Sequence, residues 1–315
     1  MTLTQLQRLQ LKSAGENDLE SRVGNTPLLH IHSLTASLRP GVRVLAKAEW
    51  FNPGGSIKDR AALHIIRTAL QQGKLAGGKR LLDSTSGNMG IAYATFGAAM
   101  HIPVTLCVPS NASPERITIL RALGAEIILT DPSTGSDGAI LQARQLAKAS
   151  PDLYWYANQY DNPANWQAHY LTTGPEILSQ SNGEITHLVV GLGTSGTLMG
   201  AGRYLREQLP GIRLVGVQPD DAFHGLEGLK HMPTAIRPGI YEPSIPDRLL
   251  EVRTEAAHEM VRALGRQEGL FVGISSGAAM VAAIRVAQDL TEGTVVTVFP
   301  DAGYKYLSDR ALWEE

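Results

Sequence analysis

Asn52-Pro-Gly-Gly-Ser-Ile-Lys-Asp-Arg60 is the stretch on which the reading of the fold turns. Proline fixes φ and the paired glycines open backbone conformations closed to other residues, so residues 52–55 read as a tight turn. From Ser56 onward Ile57, Ala61, Ala62, Ile65, Ile66 and Leu70 recur at spacings of three to five, a helical pattern with Ser56 as its expected N-cap. A strand over 42–47 therefore runs through a glycine turn into a helix, with Lys58 at the junction. There the backbone N–H groups and the positive end of the helix dipole disfavour an ammonium ion. If it is also desolvated, Lys58 is poised as a nucleophilic amine or a Schiff-base partner. A lysine at a helix start is ordinarily a solvated surface charge, so the turn alone assigns it no role.

Working outward, strands are expected over 80–83, 104–108, 126–129, 153–157, 187–190, 213–217 and 295–298. Helices are expected over 90–100, 114–123, 139–149, 173–178, 198–208, 254–268 and 278–290. This alternation predicts an α/β fold with mostly parallel sheets. Two series meet around 158–169, a polar, proline-bearing stretch that reads as a domain boundary. Residues 225–246, rich in proline and glycine and poor in periodicity, read as a long loop over a site.

A net charge of −2 gives no electrostatic case for nucleic acid or an anionic membrane, and no apolar run reaches membrane-spanning length. Residues 1–10 lack the apolar core of a signal peptide and read as a short amphipathic helix. The single cysteine, Cys107, allows neither an internal disulfide nor a cysteine-based metal cluster, and its apolar surroundings mark a buried structural thiol. These readings point to a cytoplasmic protein.

Three more loops open helices. Ser84-Thr-Ser-Gly-Asn-Met-Gly90 offers hydroxyls, an amide and free N–H groups that suit a carboxylate, although an ordinary N-cap needs only one of them. Gly191-Leu-Gly-Thr-Ser-Gly-Thr197 follows a strand and can cup a phosphate. It also satisfies the G-x-G-x-x-G dinucleotide pattern, and only the late position and the lack of a clean acidic residue at the next strand's tip weigh against that alternative. Gly273-Ile-Ser-Ser-Gly-Ala278 holds serines that contact a heteroaromatic nitrogen or simply cap the helix. A Schiff-base lysine, a carboxylate cradle, a phosphate cup and a polar contact are together what pyridoxal 5′-phosphate and an amino acid joined to it require.

With these motifs the chain resembles the cysteine synthases, within the fold-type II pyridoxal-phosphate enzymes. The resemblance runs from Gly24-Asn-Thr-Pro-Leu28 to Tyr306-Leu-Ser308. It includes Thr85-Ser-Gly-Asn88, Glu115-Arg116, Gln159, Asn162-Pro163, His169 and Thr173-Gly-Pro-Glu-Ile177. Thr186-His187 and Gly196-Thr-Leu-Met-Gly200 are similar to the B-type enzymes, the O-acetylserine or O-phosphoserine sulfhydrylases.

The resemblance implies two three-layer αβα domains with mostly parallel twisted sheets, like the tryptophan synthase β subunit. The smaller, mobile domain spans 48–160; the larger, cofactor-anchoring domain spans 1–47 and 161–315. It also implies a homodimer. Lys58 matches the lysine that carries the cofactor covalently and moves the α-proton. Asn88 matches the partner of the cofactor's ring oxygen, Gly193, Thr194, Ser195, Gly196 and Thr197 the phosphate cup, and Ser275 the residue facing the pyridine nitrogen. Thr85, Ser86 and Gln159 match the groups that hold the substrate carboxylate. The implied reaction is ping-pong β-replacement of O-acetyl-L-serine, or of O-phospho-L-serine, by sulfide or thiosulfate, with no metal.

Two positions depart from the pattern. Met89 stands where the family commonly has threonine, which removes a hydroxyl donor from the carboxylate loop. Lys230 falls where B-type enzymes carry an arginine, which in some members reads a phosphorylated serine; a lysine loses the bidentate geometry. These departures keep other β-replacement activities in view, namely cystathionine β-synthase, lanthionine synthase and diaminopropionate synthase. A non-catalytic partner in a cysteine-synthase assembly is the alternative from a different class.

Overall fold

The structure, a computed structural model, describes residues 18–85 and 87–313. The helix expected over 1–10 and the loop residue Ser86 lie outside them. Among the described residues ten strands follow in chain order: β1 (Leu28–His30), β2 (Val42–Ala48), β3 (Arg80–Ser84), β4 (Val104–Pro109), β5 (Glu126–Thr130), β6 (Tyr154–Tyr156), β7 (Ile185–Gly191), β8 (Arg213–Pro219), β9 (Arg248–Val252) and β10 (Gly293–Phe299). The α-helices are α1 (Lys58–Gln71), α2 (Asn88–Ala99), α3 (Pro114–Ala122), α4 (Gly135–Ala149), α5 (Pro163–Leu171), α6 (Thr173–Gln180), α7 (Gly196–Gln208), α8 (Thr254–Ala263), α9 (Ile274–Gln288) and α10 (Arg310–Trp313).

The strands form two sheets. One has the order β1-β2-β10-β7-β8-β9, all parallel except β1, which runs antiparallel to β2. The other, β5-β4-β3-β6, is wholly parallel. Strands covered on both faces read as unbroken apolar runs, which is why β4, buried at every position, and β10, buried from Thr294 to Phe299, are legible in the sequence. Val44, Val189, Val217 and Val295 pack with Ala257, Ile274 and Ala278 on one face of the larger sheet. Leu188, Val190 and Val296 pack with Ile177, Leu198 and Leu205 on the other. The smaller sheet is similarly covered, by α1 and α2 through Ile65, Ile66, Ile91 and Phe96 and by α4 through Ala139 and Ala143. Each sheet is thus the middle of three layers. Cys107 is fully buried in the smaller one, and burial pushes its thiol up to about 12.

Several expectations need correction. Residues 158–169, for which no helix was expected, lead into α5, whose N-cap Asn162 accepts the Ala164 N–H through its side chain. Asn162-Pro163 reads as a chain breaker, yet it is an N-cap followed by proline at N1, where proline's missing N–H is no loss. β1 and β9 were not expected. β1 has three residues, and β9 is an edge strand with Arg248, Leu249 and Glu251 exposed, so neither shows a continuous apolar run. The helix expected over 254–268 ends at Ala263 and continues as a π-turn, Leu264–Glu268. Ser56 is not the N-cap of α1, which is Ile57, although the Ser56 hydroxyl accepts the Lys58 N–H at 3.3 Å. Finally, α2, α7 and α9 each begin inside the loops singled out above, so those loop residues are the first turns of helices.

Candidate active site

β2, β7 and β10 run in the same direction, so the segments leaving their C-terminal ends gather on one edge of the larger sheet, the usual site of ligand crevices in such sheets. These segments carry Lys58, the 191–197 loop and Asp301. The 84–90 loop, leaving β3 of the smaller sheet, faces them. Two adjoining hollows result. One is lined by Lys58, Asn88, Gly193 to Thr197 and Ser275; the other by Lys58, Thr85, Asn88, Gln159 and Lys230. Lys58 and Asn88 belong to both. The two hollows thus bring together Lys58, Thr85, Asn88, Gln159, Gly193 to Thr197, Lys230 and Ser275.

Burial pushes the Lys58 amine down from its ordinary value, while Asp301 and Glu49 pull the other way. The shift comes from desolvation first, not from the helix dipole alone. The turn that presents Lys58 is tied by Asp59, whose carboxylate accepts the Gly54 N–H at 2.6 Å.

Asn88 is held on both sides. Its Nδ2 donates to Asp301 Oδ2 at 2.7 Å, and its Oδ1 accepts from Lys305 Nζ at 2.8 Å. An ammonium group only donates and an ionised carboxylate only accepts, so the amide orientation is dictated. Lys305, 1% exposed, also donates to the carbonyls of Gly54 and Gly55, and Tyr306 donates to Asp301 Oδ2. Sequence reasoning missed Asp301 and Lys305. The only available signal was that Asp301 sits just beyond the C-terminal end of a buried parallel strand.

In the 191–197 loop, Ser195 is the N-cap of α7 in the left-handed region, at φ 69°, which turns the loop sharply into the helix. A Cβ on Gly193 would lie 2.2 Å from the Gly228 carbonyl oxygen, and one on Gly196 would lie 2.0 Å from Asn165 Oδ1. Thr194 Oγ1 accepts from Asn165 Nδ2 at 3.1 Å. His169 lies beneath Thr197, with Nε2 3.5 Å from its hydroxyl and Nδ1 2.9 Å from Thr173 Oγ1. Burial, aided by the charges of Arg60 and Lys58, keeps this imidazole neutral. A backbone cradle with no room for side chains, at a helix N-terminus, fits a phosphate.

In the 84–90 loop the Thr85 hydroxyl accepts N–H groups from Gly87 and Gly90, both at 3.0 Å, and so caps α2. Gln159 Nε2 donates to the Ser84 carbonyl at 2.6 Å. Beneath them Asp83 accepts the N–H groups of Ser84 and Gln159, and burial pushes its carboxyl up to about 7. Met89 is 3% exposed and packs into the core of the smaller sheet. Ser275 lines the cup-side hollow, while its neighbour Ser276 is fully buried. Lys230 Nζ donates to Asp137 Oδ1 at 2.8 Å, and Arg116 pairs with Glu227 and lies over the Tyr306 ring.

Residues 19–301 match the family model described as pyridoxal-phosphate dependent enzyme. The chain belongs to this family. Within it, the chain is 50% identical over 291 residues to a cysteine synthase of Aquifex aeolicus (strain VF5), covering 91% of this chain and 89% of that protein. It is 40% identical over 297 residues to cysteine synthase B of Escherichia coli (strain K12), covering 94% and 96%. Among solved structures it is similar to a cysteine synthase of Entamoeba histolytica, with a TM-score of 0.90 and 34% identity over 97% of this chain and 92% of that one. Membership makes pyridoxal phosphate the cofactor of this fold. The lysine, the amide donor and the phosphate-shaped cradle in one crevice fit that group, and an NAD reading of the 191–197 loop is set aside.

Proposed function

We propose that this protein is a cysteine synthase that replaces the β-substituent of O-acetyl-L-serine with sulfide, giving L-cysteine and acetate. The observation that carries the reading is the position of Lys58 between a phosphate-shaped cradle and a carboxylate-binding loop, each at a helix N-terminus. Bound pyridoxal phosphate supplies the electron-withdrawing group that acidifies the α-carbon of an amino acid joined to it. The chain's own residues do the rest. The Gly193 to Thr197 loop would hold the phosphate, Asn88 would hold the ring oxygen and Ser275 would face the ring nitrogen. The first turn of α2, with Thr85, Ser86 and Gln159, orients the substrate carboxylate. Lys58 Nζ, favoured as a neutral amine by burial, takes the proton from the α-carbon and later returns it.

The smaller domain, over 48–160, closes on the larger one, formed by 1–47 and 161–315, when the carboxylate is held. A homodimer in the cytoplasm is the working state, with thiosulfate as a second sulfur donor. The resident cofactor makes the test optical. Adding O-acetylserine to the purified yellow protein should red-shift its visible band, and sulfide should restore it. Lys58→Ala should lose the borohydride-trappable lysine–cofactor bond. No spectral response to any activated serine would overturn the proposal.

A further inference from the structure

Lys230 lines the substrate side of the crevice together with Lys58, Thr85 and Gln159, but its charge is already matched. Its Nζ lies 2.8 Å from Asp137 Oδ1 and 4.9 Å from the centre of the Tyr160 ring, and its side chain is only 7% exposed. Asp137 sits in the first turn of α4 and, with Lys230, lines a neighbouring hollow. Its second oxygen, Oδ2, accepts the Ile236 N–H at 2.9 Å, so the carboxylate is fixed in place. Arg116, which also lines this hollow, pairs with Glu227.

We propose that Asp137 sets the leaving-group preference by neutralising Lys230, so that a serine carrying an uncharged acyl group is accepted over one carrying a phosphate. The proposal rests on the cysteine synthase reading and deepens it. A phosphate monoester carries close to two negative charges at neutral pH. Placed beside Lys230 it finds a cation whose charge Asp137 already offsets, so its own charge stays uncompensated out of water. An O-acetyl group presents only a neutral carbonyl and is indifferent to that carboxylate. Asp137 acts through Lys230 and is a positioning residue, not a catalytic one.

Asp137→Asn removes the charge and keeps both the shape and an acceptor for the Ile236 N–H. The experiment measures kcat and KM of the holoenzyme for O-acetyl-L-serine and O-phospho-L-serine in wild type, Asp137→Asn, Lys230→Met and the double variant. The ratio of kcat/KM for the phosphorylated over the acetylated substrate should rise about tenfold in Asp137→Asn, chiefly through KM for O-phosphoserine. That gain should vanish when Lys230 is methionine. A ratio that stays put in Asp137→Asn, or rises as much without Lys230, overturns the proposal. If Asp137 merely braces the loop, both substrates move together and the ratio does not change, which also overturns it. A wild type that turns over neither substrate defeats the cysteine synthase reading itself, and the proposal with it.

Discussion

Arg60, two residues past Lys58, shows what a single position contributes beneath the site. Its guanidinium is buried and forked between two carboxylates: Nε and Nη2 donate to Glu49 at 2.8 and 2.9 Å, and Nη1 and Nη2 donate to Glu176 at 2.6 and 2.7 Å. Lys47 Nζ donates to the same Glu176 at 2.7 Å. Burial alone would push the Glu176 carboxyl up, but Arg60 and Lys47 overcome it and bring it down to about 2. Removing the cation takes the ion-pair partner from Glu49, which is fully buried, while Glu176 keeps Lys47. Arg60→Met should therefore cost about 3–5 kcal/mol, the usual penalty for breaking a buried pair, read as a fall in the urea midpoint. A loss below about 1 kcal/mol would show that water reaches the pair. The motif in the sequence contained Arg60 but not its partners. Glu49 lies eleven residues upstream and Glu176 is separated by 116, and no local pattern links positions so far apart.

At the scale of elements, the legible parts are those whose chemistry is local. Proline and glycine mark the turn before α1, apolar runs mark β4 and β10, and glycines with hydroxyls mark the starts of α2, α7 and α9. What escaped depends on tertiary packing. The helix α5 is short and carries Asn165 and His169 on its buried side, where a sequence pattern expects apolar residues. Those two polar groups are buried because they support the 191–197 loop: Asn165 bonds Thr194, and His169 reaches Thr197. The cup is thus built from two elements, and its tolerance for bulk is low. A methyl group at position 193 meets the Gly228 carbonyl, which belongs to backbone and cannot swing aside. Gly193→Ala should weaken pyridoxal phosphate binding by tenfold or more. Adding the cofactor to resolved apoprotein and following fluorescence quenching would measure this. Circular dichroism should stay near that of the wild type. Undiminished affinity would mean that the loop yields, and that its glycine is not what shapes the cradle.

At the scale of the whole molecule, the seam between the two sheets gathers buried ionisable groups whose balance sets how stability responds to pH. Asp59 and Asp83 are both pushed up to about 7, chiefly by burial. Each keeps its proton in the native state after the unfolded chain has released it near pH 4, so between those values stability falls as pH rises. The slope is about 1.4 kcal/mol per pH unit for each group. His64 works the other way. Burial lowers it to about 4, so it stays neutral in the native state while the unfolded chain takes up a proton below pH 6.5, and stability rises with pH across that window. Glu176 adds a similar rise between about 2 and 4.5. From pH 4.5 to 6.5 these two falling contributions are opposed by rising ones from His64 and from His169, which burial also holds neutral. Above 6.5, until about 7, the falling pair acts without that opposition from the two histidines. Asp59→Asn isolates one of these groups cleanly. Asp59 Oδ2 keeps the Gly54 N–H as its partner, whereas Oδ1 has no hydrogen-bond partner among the described residues, so an amide nitrogen takes the place of the oxygen that carries the proton. Relative to wild type, the variant should gain about 2–3 kcal/mol between pH 5 and pH 8, measured by urea denaturation of the holoenzyme at both values. A difference independent of pH would mean that Asp59 is already ionised in the folded protein at pH 5. Its carboxylate would then be balanced by Lys305 and by its neighbour Arg60, the two cations that act on it.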